Sequence, residues 1–124
     1  DYHITELIEK FKKAENRLIL LDYDGTLVNY ELIPQKAILS EDLGDILMTL
    51  IDKPQTKVLI ISGRGHSDID RLVDHLPVNI IAEHGAMIKR GGEYGRIRQL
   101  KKPHGKRRSL IYLIRLLQIV RDLI

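Results

Sequence analysis

Three short apolar runs constrain the fold of this chain more than any other feature. They lie at residues 17–22, 57–61 and 78–82, and each suits a buried strand. Segments with apolar residues at helical spacing alternate with these runs, namely residues 4–13, 41–52 and 66–76. This alternation predicts an α/β fold, in which a three-layer, Rossmann-like parallel sheet is covered by helices.

The residues after the third run predict a different kind of structure. Residues 87–98 contain Gly91, Gly92 and Gly95 and predict a hairpin or flap. Residues 106–124 again have apolar residues at helical spacing and predict a basic amphipathic helix.

Composition excludes several classes of site. The chain contains no cysteine, which rules out disulfides and zinc–thiolate centres, and no apolar run reaches the length of a membrane span. We therefore expect a cytoplasmic protein that does not contact a membrane. The first residue is Asp1 rather than methionine, so we expect a processed product or part of a longer polypeptide.

Charge is distributed unevenly along the chain. Residues 1–95 carry 11 basic and 16 acidic side chains, whereas residues 96–124 carry nine basic and one acidic. A basic C-terminal segment of this kind can bind an anion, a nucleic acid or an acidic segment. More commonly, such a charge run is simply the solvated face of a helix. Only Tyr112 could stack on a base there, so nucleic acid is not the expected partner.

Polar residues directly follow two of the predicted strands. Asp22 and Asp24 end the first run, with Gly25 and Thr26 behind them, and Ser62 follows the second run. Ligands of parallel sheets bind at the carboxyl ends of strands, so we expect these residues to meet. Two carboxylates two positions apart suit Mg²⁺, and free backbone N–H groups in the following turn suit an anion such as phosphate.

This set of groups matches phosphoryl transfer. One carboxylate can attack phosphorus and form an aspartyl-phosphate, and the other can protonate the leaving oxygen and then activate water. The Ser62 hydroxyl can bind a phosphoryl oxygen. Because Asp-x-Asp-Gly-Thr is rare by chance and follows a buried strand here, a phosphate site is favoured over a simple turn.

The same motifs resemble those of a known superfamily. LDYDGTL is similar to the first motif of the haloacid dehalogenase superfamily, and LIISGR is similar to its second. Together, RLILLDYDGTLV, VLIISGR and IAEHGAMIK resemble the trehalose-6-phosphate phosphatases, over residues 4–98. The upstream IEKFKKAEN resembles the segment that enters the phosphatase domain of fused synthase–phosphatase proteins, which would account for the absent methionine.

The resemblance implies a role for each motif residue. Asp22 would be the nucleophile and a Mg²⁺ ligand, and Asp24 the general acid and base, with its backbone carbonyl on the metal. The implied phosphate-binding residues are Thr26, Ser62, Gly63 and Lys106. The implied substrate-binding residues are Arg64, Glu83 and His84. The reaction would be Mg²⁺-dependent hydrolysis of trehalose 6-phosphate to trehalose and phosphate, in trehalose biosynthesis.

The family pattern is incomplete in this chain. Its acidic Gly-Asp-Asp motif has no counterpart after residue 98, no segment has the size of its cap domain, and only Lys106, in KKPHGK, could stand for its lysine. We expect residues 1–98 to be the first half of a haloacid dehalogenase-like core, and residues 99–124 to be a basic helix that begins the cap or forms a divergent C-terminus. We also expect weak Mg²⁺ binding, an exposed sheet edge and uncovered helix faces, and either self-association or contact with a missing remainder of the polypeptide.

Three alternatives remain open. One is another sugar-phosphate phosphatase of the same superfamily, although phosphate chemistry alone would not require the AEHGA segment. The second is a catalytically silent module whose basic end binds an acidic partner, which the missing acidic motif favours and the intact Asp22, Asp24 and Ser62 disfavour. The third is nucleic-acid binding through residues 96–124, which would weaken as salt rises.

Overall fold

A computed structural model of the chain describes residues 2–74, 76–96 and 121. Within these residues the helices are α1 (Tyr2–Lys13), α2 (Glu41–Ile51) and α3 (His66–Leu72), with short 3₁₀ turns at Pro34–Lys36 and Glu83–Gly85. The strands are β1 (Arg17–Asp22), β2 (Thr56–Ile61), β3 (Asn79–Ala82), β4 (Met87–Arg90) and β5 (Glu93–Arg96). Every helix and strand predicted before the hairpin is therefore present.

The five strands form one mixed sheet in the order β1-β2-β3-β4-β5. The first three strands are parallel neighbours, as predicted. β4 and β5, which lie in the predicted hairpin, extend this sheet with antiparallel pairing. The links after β3 and β4 are too short for the crossover that a parallel neighbour needs, so they can only reverse the chain. The predicted hairpin is confirmed as far as Arg96.

α2 begins where the sequence indicates. Ser40 is its N-cap, and the Ser40 Oγ accepts a hydrogen bond from the Leu43 N–H at 3.3 Å. Glu41 and Asp42 lie in the first turn, where their negative charges interact favourably with the positive end of the helix dipole. The buried Leu47 of α2 belongs to the hydrophobic core.

α3 is shorter than the sequence predicts, because it ends at Leu72 rather than near residue 76. Asp74 has a φ of 54°, outside the helical region. The residue before Pro77 is also disfavoured in a helix by the proline ring. The shorter helix still buries Ile69 and Leu72 in the core.

The hydrophobic core joins residues of β2 and β3 to residues of α2 and α3. Its buried members include Leu47, Val58, Ile60, Ile69, Leu72 and Ile80. β1 lies at the edge of the sheet instead, and Leu20 in that strand is 45% exposed. The apolar face of α1 is exposed as well, at Ile4, Leu7, Ile8 and Phe11. The exposed edge and uncovered helix face expected from the sequence are therefore confirmed for the described residues.

No helix within residues 2–74 and 76–96 is long and apolar enough to cross a membrane. The basic helix predicted over residues 106–124, with Lys106, lies outside the described residues apart from Arg121. The division of the chain at residue 98 therefore stays a prediction.

Candidate active site at the carboxyl ends of the strands

Asp22 and Ser62 lie at the carboxyl ends of adjacent parallel strands. Asp22 ends β1 in register with Ile61, and Ser62 follows directly. Neighbouring strands lie about 4.8 Å apart, so both positions share one edge of the sheet. The Asp22 side chain is exposed and has no hydrogen bond or ion pair within the described part of the chain. The structure thus sets an unpaired carboxylate beside the Ser62 strand end.

Ser62 is buried, with only 5% of its surface exposed. Its N–H donates to the Ile81 carbonyl at 2.9 Å, and its Oγ accepts from the Arg64 N–H at 3.1 Å. The hydroxyl proton has no acceptor among the residues that the structure describes. It is therefore available to donate to a ligand oxygen.

The turn after β1 is closed by its own backbone. The Gly25 N–H donates to the Val28 carbonyl at 2.8 Å, and the N–H groups of the next three residues all donate to the Tyr23 carbonyl, at 3.0 to 3.3 Å. These four groups do not form the free N–H nest that the sequence predicts, because the turn satisfies them internally. Gly25 has a φ of +80°, and a Cβ there would collide with the Tyr30 ring, so this position requires glycine.

Asp24 is held by Arg64 across the two strand ends. The Arg64 Nη2 donates to the Asp24 Oδ1 at 2.6 Å, and the Nε donates to the Oδ2 at 3.0 Å. This hydrogen bonding to the carboxylate raises the pKa of the Arg64 guanidinium above its already high usual value. The side chain of Arg64 is 16% exposed and that of Asp24 is 31% exposed, so the two-pronged pair is partly shielded from water.

Two further contacts fix the Arg64 side chain. Its Nη1 donates to the Pro34 carbonyl at 3.0 Å, and its Cζ lies 6.0 Å from the centroid of the Tyr23 ring. Tyr23 is itself fully buried and donates its hydroxyl to the Ala37 carbonyl at 2.5 Å. Burial raises the pKa of Tyr23 to about 12, so its hydroxyl stays a neutral donor. Arg64 is therefore held both by the turn at Pro34 and by a buried aromatic ring.

The turn after β3 is tied to the turn after β2. The Glu83 N–H donates to the Arg64 carbonyl at 2.9 Å. The Glu83 Oε2 accepts from the His66 N–H at 3.2 Å and lies 2.5 Å from the His66 Nδ1. These hydrogen bonds from His66 lower the pKa of Glu83 below its usual value.

His84 lies beside the Ser62 loop because its backbone is left-handed. Glu83 and His84 both have a φ of 53°, a conformation that costs about 1–3 kcal/mol for a non-glycine residue. A Cβ at Gly63 would fall 2.5 Å from the His84 Cε1 and 2.8 Å from its Nε2. Glycine at position 63 is therefore what lets the exposed imidazole approach this backbone.

A buried lysine anchors the β4–β5 hairpin behind this turn. Lys89 is 5% exposed, and its Nζ donates to the Asp70 Oδ1 at 2.6 Å and to the Leu76 carbonyl at 3.2 Å. The Tyr94 hydroxyl donates to the same Asp70 oxygen at 3.3 Å. Burial, together with the Asp70 charge, raises the pKa of Tyr94. The hairpin is therefore fixed to α3 by polar contacts.

The described residues offer a partial set of ligands for Mg²⁺. Among them, no group of three or more His, Asp or Glu side chains could hold a metal ion. The Asp22 carboxylate is unpaired, whereas both carboxylate oxygens of Asp24 accept from Arg64. One carboxylate, a backbone carbonyl, waters and a substrate phosphate form a set that Mg²⁺ accepts. The chemistry of these donors thus fits a loosely anchored Mg²⁺ bound together with substrate.

The structure brings most of the predicted site residues to one edge of the sheet. Those at or after the ends of β1, β2 and β3 are Asp22, Asp24, Thr26, Ser62, Gly63, Arg64, Glu83 and His84. Thr26 is exposed, and Lys106 lies outside the described residues. Arg64 and Glu83, which were predicted to bind substrate, form ion pairs with Asp24 and His66 respectively. These two pairs and the Lys89–Asp70 pair were not predicted from the sequence.

A signal for one missed pairing was present in the sequence. In a parallel register that pairs Asp22 with Ile61, Asp24 and Gly63 occupy equivalent positions after the strands. Arg64 is the first long basic side chain after that point. Adjacent loops of opposite charge at one sheet edge therefore favour this pair.

Comparisons with known proteins agree with this geometry. The family model for trehalose-phosphatase matches residues 20–103. A bifunctional trehalose-6-phosphate synthase/phosphatase from Thermoproteus tenax is 44% identical over 92 residues, which are 73% of this chain and 13% of that protein. The chain thus spans only a small part of the length of that relative.

Solved structures show the same fold. The trehalose-6-phosphate phosphatase of Aspergillus fumigatus matches with a TM-score of 0.69 and 35% identity, over 75% of this chain and 35% of that one. A haloacid dehalogenase-like hydrolase from B. subtilis matches in fold alone, with a TM-score of 0.53 and 24% identity over 82% of this chain and 33% of that one. The described residues are therefore an incomplete haloacid dehalogenase-like core. Because the family model covers more than half of it, the chain belongs to the trehalose-phosphatase family.

Proposed function

We propose that these residues are part of the active site of a phosphatase that hydrolyses trehalose 6-phosphate to trehalose and phosphate through an aspartyl-phosphate. The observation that supports the proposal is the pairing of β1 with β2, which brings the ends of the two strands, at Asp22 and at Ser62, to the same edge of the sheet. A nucleophile and a hydrogen-bond donor at one sheet edge are what a phosphoryl group requires. The substrate comes from the resemblance of the motifs and from the names of the relatives.

The reaction proceeds in two steps. An Asp22 oxygen attacks phosphorus, the bond from phosphorus to the sugar oxygen breaks, and that oxygen keeps the electron pair and takes a proton from the Asp24 carboxyl group. Asp24 then takes a proton from water, whose oxygen attacks the phosphorus of the aspartyl-phosphate. The bond between phosphorus and Asp22 breaks and the carboxylate is restored. One water is consumed, and trehalose and phosphate are released.

Other residues at the edge bind the substrate. The Ser62 hydroxyl donates to a phosphoryl oxygen, Thr26 and Gly63 shape the phosphate cradle, and Lys106 is the candidate for a further cation. The exposed His84 imidazole lies close to Gly63 and is the candidate for contact with the rest of the substrate.

Mg²⁺ is the proposed cofactor. The Asp22 carboxylate and the Asp24 backbone carbonyl would hold it, and when bound it would offset the negative charge of the phosphate. We also propose that the protein is cytoplasmic and that this part of it contacts a further part of the polypeptide.

The test measures phosphate release from trehalose 6-phosphate by the complete polypeptide that contains these residues. Asp22→Asn should lower kcat/KM by about 10³-fold or more, because the attacking group is lost. Asp52→Asn is the matched control, since Asp52 is an exposed residue at the C-cap of α2 and should leave activity unchanged. Full activity in Asp22→Asn would contradict the proposal. Faster hydrolysis of glucose 6-phosphate than of trehalose 6-phosphate would instead favour another sugar-phosphate phosphatase.

A catalytically silent module is the second candidate. It is favoured by the Asp24 carboxylate, both of whose oxygens accept from Arg64, and by the lack of a three-residue metal cluster within the described residues. If the folded wild-type protein released no phosphate with Mg²⁺ present, this reading would replace the first.

A further inference from the structure

The Arg64 side chain is committed to protein partners rather than to a ligand. It bonds to both carboxylate oxygens of Asp24 and to the Pro34 carbonyl, and it lies over the Tyr23 ring. Only 16% of the side chain is exposed. The guanidinium keeps N–H donors beyond those used here, but it cannot turn toward a substrate without breaking at least one of these bonds.

We propose that Arg64 is a positioning residue that orients the Asp24 carboxyl group for proton transfer, an inference that rests on the proposed phosphatase activity. Asp24 lies in the turn beyond the end of β1, so the sheet ladder does not fix its side chain. The planar Arg64 guanidinium, which donates to both oxygens of Asp24, sets the plane of the carboxyl group. The guanidinium is itself held by the Pro34 carbonyl and the Tyr23 ring.

The pairing is compatible with a proton on Asp24. Each carboxyl oxygen has two lone pairs, so an oxygen that accepts from Arg64 keeps a second site. When the phosphorus–oxygen bond breaks, the Asp24 proton passes to the sugar oxygen and leaves a carboxylate. The guanidinium can hold the carboxylate through the same two hydrogen bonds, so the orientation of Asp24 is kept for the second step.

The test compares two leaving groups, because only one of them needs a proton. The sugar alkoxide that leaves trehalose 6-phosphate is strongly basic, whereas the p-nitrophenolate that leaves p-nitrophenyl phosphate is stable as an anion. In the complete polypeptide, Arg64→Met should lower kcat/KM for trehalose 6-phosphate by about 100-fold and for p-nitrophenyl phosphate by less than about tenfold. Arg64→Lys keeps the charge without the fork, and should give an intermediate loss that is again larger for trehalose 6-phosphate.

Two controls separate positioning from a structural role. Arg17 lies at the other end of β1, and its guanidinium donates to two backbone carbonyls of α1. Arg17→Met should leave the ratio of the kcat/KM values for the two substrates unchanged. In an Asp24→Asn background, Arg64→Met should cause less than about a threefold further loss for trehalose 6-phosphate, because the residue acts through Asp24.

The outcomes decide between the two ideas. Equal losses for both substrates in the Arg64 variants, or full additivity with Asp24→Asn, would overturn the positioning role and leave the phosphatase function intact. If Arg64→Met does not fold, the same comparison of the kcat/KM losses for the two substrates is made with Arg64→Lys. If the wild-type protein hydrolyses neither substrate, the proposed function fails, and the positioning role fails with it.

Discussion

β1 and β2 pair over six residues in the same direction, yet they differ in how well they are packed. Four residues of β2 are buried, whereas no residue of β1 is, and Leu20 in β1 is 45% exposed. The proposed nucleophile ends the poorly packed strand, and the Ser62 hydroxyl follows the well-packed one. The difference suggests that β2 supports the site while β1 presents the reacting group.

If this comparison holds, substitutions in the two strands should have separable effects. Asp22 is exposed and unpaired within the described residues, so removing its charge should affect activity without loss of stability. Changes in β2 should lower the free energy of unfolding first.

The largest difference in stability is expected between the two strand interiors. Ile60→Ala removes a fully buried side chain of β2 and should lower the free energy of unfolding by about 2–5 kcal/mol. Leu20→Ala in β1 should cost less than about 1 kcal/mol, because its side chain is already half in water. Denaturant unfolding of both variants measures the difference, and equal losses would remove the contrast between the strands.

Ser62→Ala should affect activity more than stability. Loss of one donor to the phosphoryl group should lower kcat/KM for trehalose 6-phosphate by about 100-fold. Thr26→Ala, after β1, is the matched variant, and its exposed side chain should matter less. Phosphate release by the two variants checks this, and a larger loss in Thr26→Ala would reverse the assignment.

Gly63→Ala tests the close approach of the β2 and β3 loops. The new Cβ would meet the His84 ring at 2.5 to 3.1 Å, so the exposed imidazole must swing away from the β2 loop, at a cost below about 1 kcal/mol. Gly44→Ala is the control, because open space surrounds that helical position and alanine should stabilise it by about 0.5–1 kcal/mol. Thermal unfolding of both variants should therefore shift in opposite directions.

The smallest effect is expected from pH. Hydrogen bonds from His66 lower the pKa of Glu83 below 4.5, so the pair contributes stability that is present above the unfolded pKa and is lost as pH falls through the folded pKa. Glu83→Gln should make the free energy of unfolding less dependent on pH below about 4.5. Glu93→Gln, an exposed change in β5, should not. Identical pH profiles for the Glu83 variant and the wild type would show that the pair has no role in stability.

Much of the fold follows from patterns that act over a few residues. The apolar run before Asp22 and the helix that begins at residue 41 each depend on local chemistry, and both were predicted correctly. The meeting of the Asp22 and Ser62 strand ends at one edge of the sheet was also predicted correctly, because that rule depends only on strand direction.

What the sequence did not reveal depends on side chains from distant segments. The Asp24–Arg64 pair spans 40 residues, and the free N–H nest expected after Asp24 was wrong because the turn bonds internally. The lengths of the links around β4 made that strand antiparallel, which the helix–strand alternation alone could not indicate.

The paired left-handed conformation at Glu83 and His84 restricts which sequences the turn after β3 can accept. Threonine, valine or isoleucine at either position would clash with its own backbone, whatever the side chain does for a ligand. Glycine and asparagine would be tolerated far better. The backbone conformation therefore limits which residues can occupy these two positions, whatever their side chains bind. An invariant histidine there would not by itself show that its ring contacts a sugar.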